Sequence, residues 1–161
     1  MTRPRFYTPD ERATWVPLAA LLELLPRELD AQLLRDEDLT HFDYFALSML
    51  VNADDHRLQL KELATMTNAT LPRLSHVISR LESRGFVRRE RNPADARATD
   101  AVITADGRRK VLAATPGHVQ NVRHLVLDAL TPEQTAQLQQ ITDAVLARVD
   151  PEGRMRILPP R

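Results

Sequence analysis

Apolar residues recur at helical spacing along most of the chain, and a threonine precedes nearly every such run. Thr8-Pro9-Asp10-Glu11 is a helix start, with a capping hydroxyl, a proline at the first helical position and two acids facing the positive end of the dipole. The pattern predicts a helix from there to about Leu34, kinked or broken near Pro26, whose ring and missing N–H disrupt an interior turn. Thr40 caps a second helix through Phe42, Phe45, Met49 and Leu50. Asn52 to His56 is a polar loop, Arg57 to Leu60 a short strand, and Lys61 to about Thr67 a short helix with Leu63 and Ala64 inward. Asn68-Ala69-Thr70 forms a turn that caps a helix from Leu71 to about Arg84, where Gly85 stops it. Phe86–Arg91 and Thr99–Thr104 then pair as a hairpin around Asn92-Pro93-Ala94-Asp95. Thr104 caps a long helix to about Leu130, bent at Pro116-Gly117, and Thr131-Pro132-Glu133 opens a last one to about Val149. The expected class is mainly α with a small β-hairpin, followed by a poorly ordered tail over 151–161.

The 71–84 helix carries the sharpest local signal. At about 100° per residue, Leu71, Leu74, Ile78 and Leu81 share one stripe, and Pro72, Arg73, His76, Ser79, Arg80 and Ser83 occupy the opposite face. That outer face holds hydrogen-bond donors and no acid. A short helix, a tight turn and this second helix make a helix-turn-helix, whose second helix enters the DNA major groove with its N-terminal residues toward base edges. Arg73 is placed for a guanine edge, and His76 or Ser79 for bases or phosphates. The turn that ends at Thr70 caps a helix start whose free N–H groups can grip a phosphate, and Pro72 and Ser75 join the DNA-binding candidates. The competing reading is an ordinary amphipathic helix with a solvated outer face.

Charge tips the balance. The chain of 161 residues is neutral, with 22 basic and 22 acidic side chains. Residues 70–110 hold ten of the basic ones (Arg73, Arg80, Arg84, Arg88, Arg89, Arg91, Arg97, Arg108, Arg109, Lys110) against five acidic ones. A local basic patch on a neutral chain suits a polyanion. The hairpin crowds Arg88, Arg89, Arg91 and Arg97, like charges that stability alone does not explain. Arg97, on the returning side of the tip, suits minor-groove insertion, and the other three suit phosphates, unless one pairs with Glu90 or Asp95.

The chain has no cysteine, which excludes disulfides, thiolate metal sites and thiol redox chemistry. Its five histidines show no metal-ligand spacing, so no metal and no cofactor are expected. Asp54-Asp55-His56 is the single acid–histidine cluster and has no nucleophile or phosphate cradle beside it, which argues against an enzyme. No apolar run approaches the roughly 18 residues that span a bilayer, and MTRPRFYTPDER has no apolar signal core, so a cytoplasmic protein without a membrane partner is expected.

The stretch LKELATMTNATLPRLSHVISRLESRGFVRRERNPADARATDAVITADGRR resembles the winged helix-turn-helix core of MarR-family transcriptional regulators. The resemblance lies in ELA of the first helix, the RLSHVISRLESRGFVRR run, the Asp95-x-Arg97 motif of the wing and the Thr104-x-x-Gly107 start of the next helix. One departure is the short helix near Gln59-Leu60-Lys61, which lacks a strong cap. The resemblance implies a winged lobe over 40–104 and a helical dimerisation region from 8–36 and 105–149. It implies a homodimer that binds a pseudo-palindromic double-stranded operator, sequence-specifically, as a regulator, a repressor released by a small ligand. In the family, aromatic acids bind between dimer helices and lobe; Trp15, His41, Tyr44, Phe45, Met49 and His118 are the candidates to line such a cleft. The alternative is a winged-helix module for protein contact or DNA architecture, without ligand control.

Overall fold

A computed structural model describes residues 6–95 and 97–155. Six helices and three strands follow in the order α1 (Pro9–Glu37), α2 (His41–Asn52), β1 (Arg57–Gln59), α3 (Leu60–Met66), α4 (Leu71–Ser83), β2 (Val87–Arg91), β3 (Thr99–Ile103), α5 (Ala105–Leu125) and α6 (Pro132–Val149). The mainly helical class with a small antiparallel sheet is as expected. Thr8, Thr40, Thr70, Thr104 and Thr131 all accept a backbone N–H from the third residue of their helix, and at Thr8, Thr40 and Thr131 that residue's side chain returns the bond. α3 departs as anticipated. Gln59 gives it no side-chain cap, and strand β1 runs straight into it.

The first helix corrects the reading at Pro26. α1 runs unbroken through both Pro17 and Pro26 to Glu37. The carbonyls that lose their donors belong to Ala13 and Leu22, both exposed residues of the protomer, so neither loss is an unpaired group in the core. The helix ends at Asp38, in the left-handed region (φ 52°), where the Leu39 N–H reaches back to the Leu33 carbonyl at 3.3 Å and Leu39 is fully buried. α5 also passes Pro116-Gly117 without a break, but stops at Leu125 rather than Leu130 because a tighter 3₁₀ turn takes Leu127–Ala129.

The expected hairpin is part of a three-stranded sheet in the order β1-β3-β2. β3 is central: Arg57 lies opposite Val102 on one side and Arg88 opposite it on the other. The core gathers under this sheet. Leu39, Leu47, Leu50, Leu63, Leu74, Ile78 and Leu81 are completely buried, with Val87 and Ile103 next to them. Leu33 from the end of α1 and Val111 and Ala114 from the first half of α5 dock on the same cluster. On α4, Val77 takes the inward place expected of Leu71, which sits in the first turn with 47% of its surface exposed. The rest of α1 and all of α6 lie outside the core; α6 buries none of its residues.

Two joints tie the lobe to the long helices. Thr104 donates its hydroxyl hydrogen to the Gly85 carbonyl at 2.7 Å and accepts the Gly107 N–H at 3.0 Å. Lys110 pairs with Glu37 at 2.8 Å, while Arg84 donates to both the carbonyl and the carboxylate of Asp38. After α6, the Asp150 carboxylate accepts the N–H groups of Arg154 and Met155, so residues 151–155 of the expected tail form turns; 156–161 lie outside the described residues.

Candidate nucleic-acid interface

The helix-turn-helix is built by its turn. Asn68 adopts the left-handed conformation (φ 49°) that asparagine tolerates, and the Ala69 N–H bonds the Ala64 carbonyl at 2.9 Å. The buried Thr67 hydroxyl donates to the Leu63 carbonyl, which locks the turn from inside. α4 then starts at the Thr70 cap, and with Leu74, Val77, Ile78 and Leu81 buried, Pro72, Arg73, His76, Ser79, Arg80 and Ser83 all face solvent. The helix ends in a Schellman turn, Phe86 N–H to the Leu81 carbonyl and Gly85 N–H to the Glu82 carbonyl, with Gly85 at φ 76°.

The expected basic residues fall into two groups. Arg88 pairs with Glu90 at 2.5 Å, and Glu90 also receives Arg57. Arg89 folds back under α4, bonding Glu82 (2.8 Å), the Ser75 carbonyl (2.8 Å) and the Ser79 hydroxyl (2.7 Å). Ser79 in turn donates to the Ser75 carbonyl, so both serines face a guanidinium from the protein itself. Arg80 pairs with the buried Asp43 of α2 at 2.5 Å, and Arg73 stacks its guanidinium over the Phe42 ring, 4.7 Å from the centroid. Arg91 and Arg97 are exposed, and their side chains make no hydrogen bond or ion pair among the described residues.

The wing that carries them is braced at its base. Asn92 accepts the N–H groups of Ala94 and Asp95 and donates to the buried Asp100 at 2.8 Å. The Asp95 carboxylate accepts the Arg97 N–H at 2.9 Å, which gives the Asp-x-Arg spacing its physical meaning: the acid fixes the backbone from which the arginine projects. Arg97 and Asp95 border one cleft with Leu71 and Ser75 of α4 and Lys61 of α3, so the wing tip and the start of α4 share a surface. Lys61, Phe42 and Asp43 were not singled out from sequence. Lys61 is a lone cation on a short helix, and the other two act across long separations.

The candidate effector residues divide. His41, Tyr44 and His118 meet between α2 and α5, with His118 4.7 Å from the Tyr44 ring and 5.7 Å from His41. The Tyr44 hydroxyl lies 3.1 Å from that of Thr115, and the His41 backbone N–H donates to Asp30 of α1. Gln32 packs beside Gly117, where a Cβ would lie 3.3 Å from its amide nitrogen. Gln32 Oε1, His118 Nδ1 and Asn121 Nδ2 are buried with no hydrogen-bond partner among the described residues. The other three expected residues lie elsewhere. Trp15 is exposed on the free half of α1, Phe45 packs on the lobe core, and Met49 is buried beside a separate cavity with Leu58 and Met66. Periodicity gave no means of separating these faces of α2. His56, from the acid–histidine cluster, bonds the Val51 carbonyl at 2.9 Å through Nδ1 and ties its turn to α2.

Burial holds the His41 imidazole below its ordinary value, opposed in part by Asp30, and burial with the charge of His41 lowers His118. In the unfolded chain both titrate near ~6.5. Below that point the unfolded state binds more protons than the native one. The stability these residues contribute is therefore full above about pH 6.5 and is lost as pH falls toward their native values. The melting temperature is expected to fall between pH 7.5 and 5.5, and His118→Gln to flatten that fall; an unchanged slope in thermal unfolding would show that the pair stays out of the transition.

Comparison with known proteins agrees with this architecture. A family model described as the MarR family matches residues 39–99. The structure is similar to Sco3205, a MarR family transcriptional regulator from Streptomyces coelicolor crystallised in complex with DNA, at 38% identity over 92% of each chain with a TM-score of 0.87. It is similar to AbsC, a MarR family transcriptional regulator of the same organism, at 32% identity over 91% of this chain and 98% of that one, with a TM-score of 0.85. The transcriptional repressor MprA of Escherichia coli K12 is 25% identical over 119 residues, 74% of this chain and 67% of that protein. With the helix-turn-helix, the braced wing and this likeness over nearly the whole length, the chain belongs to the MarR family of transcriptional regulators.

Proposed function

We propose that the protein binds double-stranded DNA sequence-specifically as a homodimer, one winged lobe (40–104) of each protomer on each half of a pseudo-palindromic operator. The observation that carries this reading is the cleft shared by α4 and the wing, where Arg97 and Lys61 meet Leu71 and Ser75, with Arg73 and His76 on the outer face of the same helix and Arg91 exposed on the wing. α4 supplies the major-groove element and the wing a narrow cationic finger for the minor groove or the flanking phosphates. Arg88 keeps its exposed side toward the backbone of the duplex, and Arg89 joins the wing to α4 from behind. The dimerisation region is formed by 8–36 and 105–149, where α1 and α6 expose leucine, isoleucine and valine side chains that none of the described residues of the same protomer covers.

The protein acts as a repressor, and a small aromatic acid releases it. Support for a ligand comes from the ring cluster of His41, Tyr44 and His118 between α2 and α5, where His118 Nδ1 is buried with no hydrogen-bond partner among the described residues.

Fluorescence anisotropy with operator and random duplexes tests the DNA reading. Arg73→Ala is expected to reduce discrimination between them by about 1–3 kcal/mol. Arg97→Ala is expected to weaken operator binding with the oligomeric state unchanged. Affinity should fall steeply with salt as neutralised phosphates release counterions, and a flat salt response would remove DNA as the partner.

A further inference from the structure

The outward arginines of α4 are held before any DNA arrives, and both are held by one helical turn. Phe42 and Asp43 are successive residues in the first turn of α2. The Phe42 ring lies under the Arg73 guanidinium, 4.7 Å from centroid to Cζ. The Asp43 carboxylate, on a residue only 1% exposed, does two jobs at once. Oδ2 accepts the Thr40 N–H at 3.0 Å and closes the cap of α2, and Oδ1 accepts an Arg80 Nη2 hydrogen at 2.5 Å. The cap fixes the carboxylate, and the carboxylate fixes Arg80, 37 positions further along the chain.

Neither contact consumes the arginine. Stacking engages the face of a guanidinium and leaves its in-plane N–H groups aimed outward, the geometry needed for the O6/N7 edge of guanine. Arg80 commits one nitrogen to Asp43 and keeps Nε and Nη1 for a phosphate, and its side chain remains 42% exposed. A long side chain loses rotamer freedom when it docks, and one already immobilised loses less, so the holding residue improves binding without touching the ligand.

We propose that Phe42 and Asp43 are positioning residues for DNA readout, Phe42 aiming Arg73 at a base edge and Asp43 aiming Arg80 at a phosphate. This rests on the DNA-binding reading above.

The test uses the full chain, an operator duplex enriched by the wild-type protein from a random pool, and a random duplex of equal length, each across a salt series with melting temperatures recorded. Phe42→Leu keeps the apolar bulk and removes the ring. It is expected to weaken operator binding about two- to fivefold with random-duplex affinity and salt slope unchanged. Phe42→Tyr, which keeps the ring, should restore wild-type discrimination, and Phe42→Leu in an Arg73→Ala background should cost nothing more. Asp43→Asn should weaken both duplexes alike, and add nothing to Arg80→Ala. Should Asp43→Asn fail to fold, Phe42→Leu decides for Phe42 and Arg80→Lys, which keeps the charge but loses the guanidinium that bridges Asp43 and a phosphate, decides for Asp43: it is expected to weaken both duplexes alike, and wild-type affinity would overturn the Asp43 assignment. Additive losses, or an operator-to-random ratio that Phe42→Leu leaves intact, would overturn the assignment. A wild-type protein that does not discriminate between the duplexes would instead overturn the DNA-binding reading itself.

Discussion

Gly107→Ala is expected to lower the stability of the winged lobe by about 3 kcal/mol, the upper part of the range for forcing one extra methyl into a packed site. A Cβ at this position would lie 2.2 Å from the Phe86 carbonyl oxygen and 2.7 Å from the Ile103 side chain. Ile103 can turn away only into a core in which it is 2% exposed, and the Phe86 oxygen is backbone, already accepting the Thr104 N–H at 3.0 Å. Relief therefore means lifting the start of α5 off the end of the sheet. Gly85 provides the internal comparison. It has a left-handed φ of 76° but nothing within 4 Å of an added Cβ, so Gly85→Ala carries the conformational cost alone, about 1 kcal/mol. Thermal unfolding should separate the two, with a drop of roughly 6–12 °C for Gly107→Ala and roughly a third of that for Gly85→Ala. Equal drops would mean that the close approach at Phe86 yields easily.

The same joint shows what local sequence can convey. The threonine caps at 8, 40, 70, 104 and 131 were legible because a helix start is a local event, a hydroxyl and an N–H three residues apart. Gly85 was legible as a stop for the same reason. Pro26 misled because whether a proline breaks a helix depends on the surroundings of the orphaned carbonyl, and Leu22, which carries it, is exposed in the protomer. Leu71 misled because the stripe rule takes no account of a helix end, where the first turn extends past the core it packs on.

At the candidate interface, composition located the cationic surface but could not say which charges were available. Arg89 meets Glu82 from seven positions away, Arg80 meets Asp43 from 37, and Arg57 meets Glu90 from 33. Such pairs depend on how sheet and helices are stacked, which no window of a single chain contains. The ring cluster is a similar case. His41, Tyr44 and His118 were recognisable as a set only by resemblance, and it took the docking of α5 on α2 to add Thr115 and to set Trp15, Phe45 and Met49 aside.

The proposed homodimer implies the largest effect of all: Leu22→Glu with Ile141→Glu should give a monomer and lower operator affinity by about 10²–10⁴-fold. Trp15, Leu18 and Leu22 follow helical spacing along the free half of α1, as do Leu138, Ile141 and Val145 along α6, and each is exposed in the protomer. An 18-residue helix that buries nothing of its own has little reason to persist alone, because isolated helices of this length are marginal in water. A second copy that covers these stripes supplies the missing burial, and a carboxylate placed at the centre of each would have to enter that interface unpaired. Neither residue belongs to the cluster around Leu47, Leu63 and Ile78, so the winged lobe should keep its fold. The affinity loss then comes from the link alone. With two lobes joined, the second half-site is engaged at high effective concentration; with one lobe, each half-site is bound separately and weakly. Sedimentation and anisotropy on the same samples decide the matter. A monomeric variant that still holds the operator at wild-type affinity would mean that one lobe suffices for recognition.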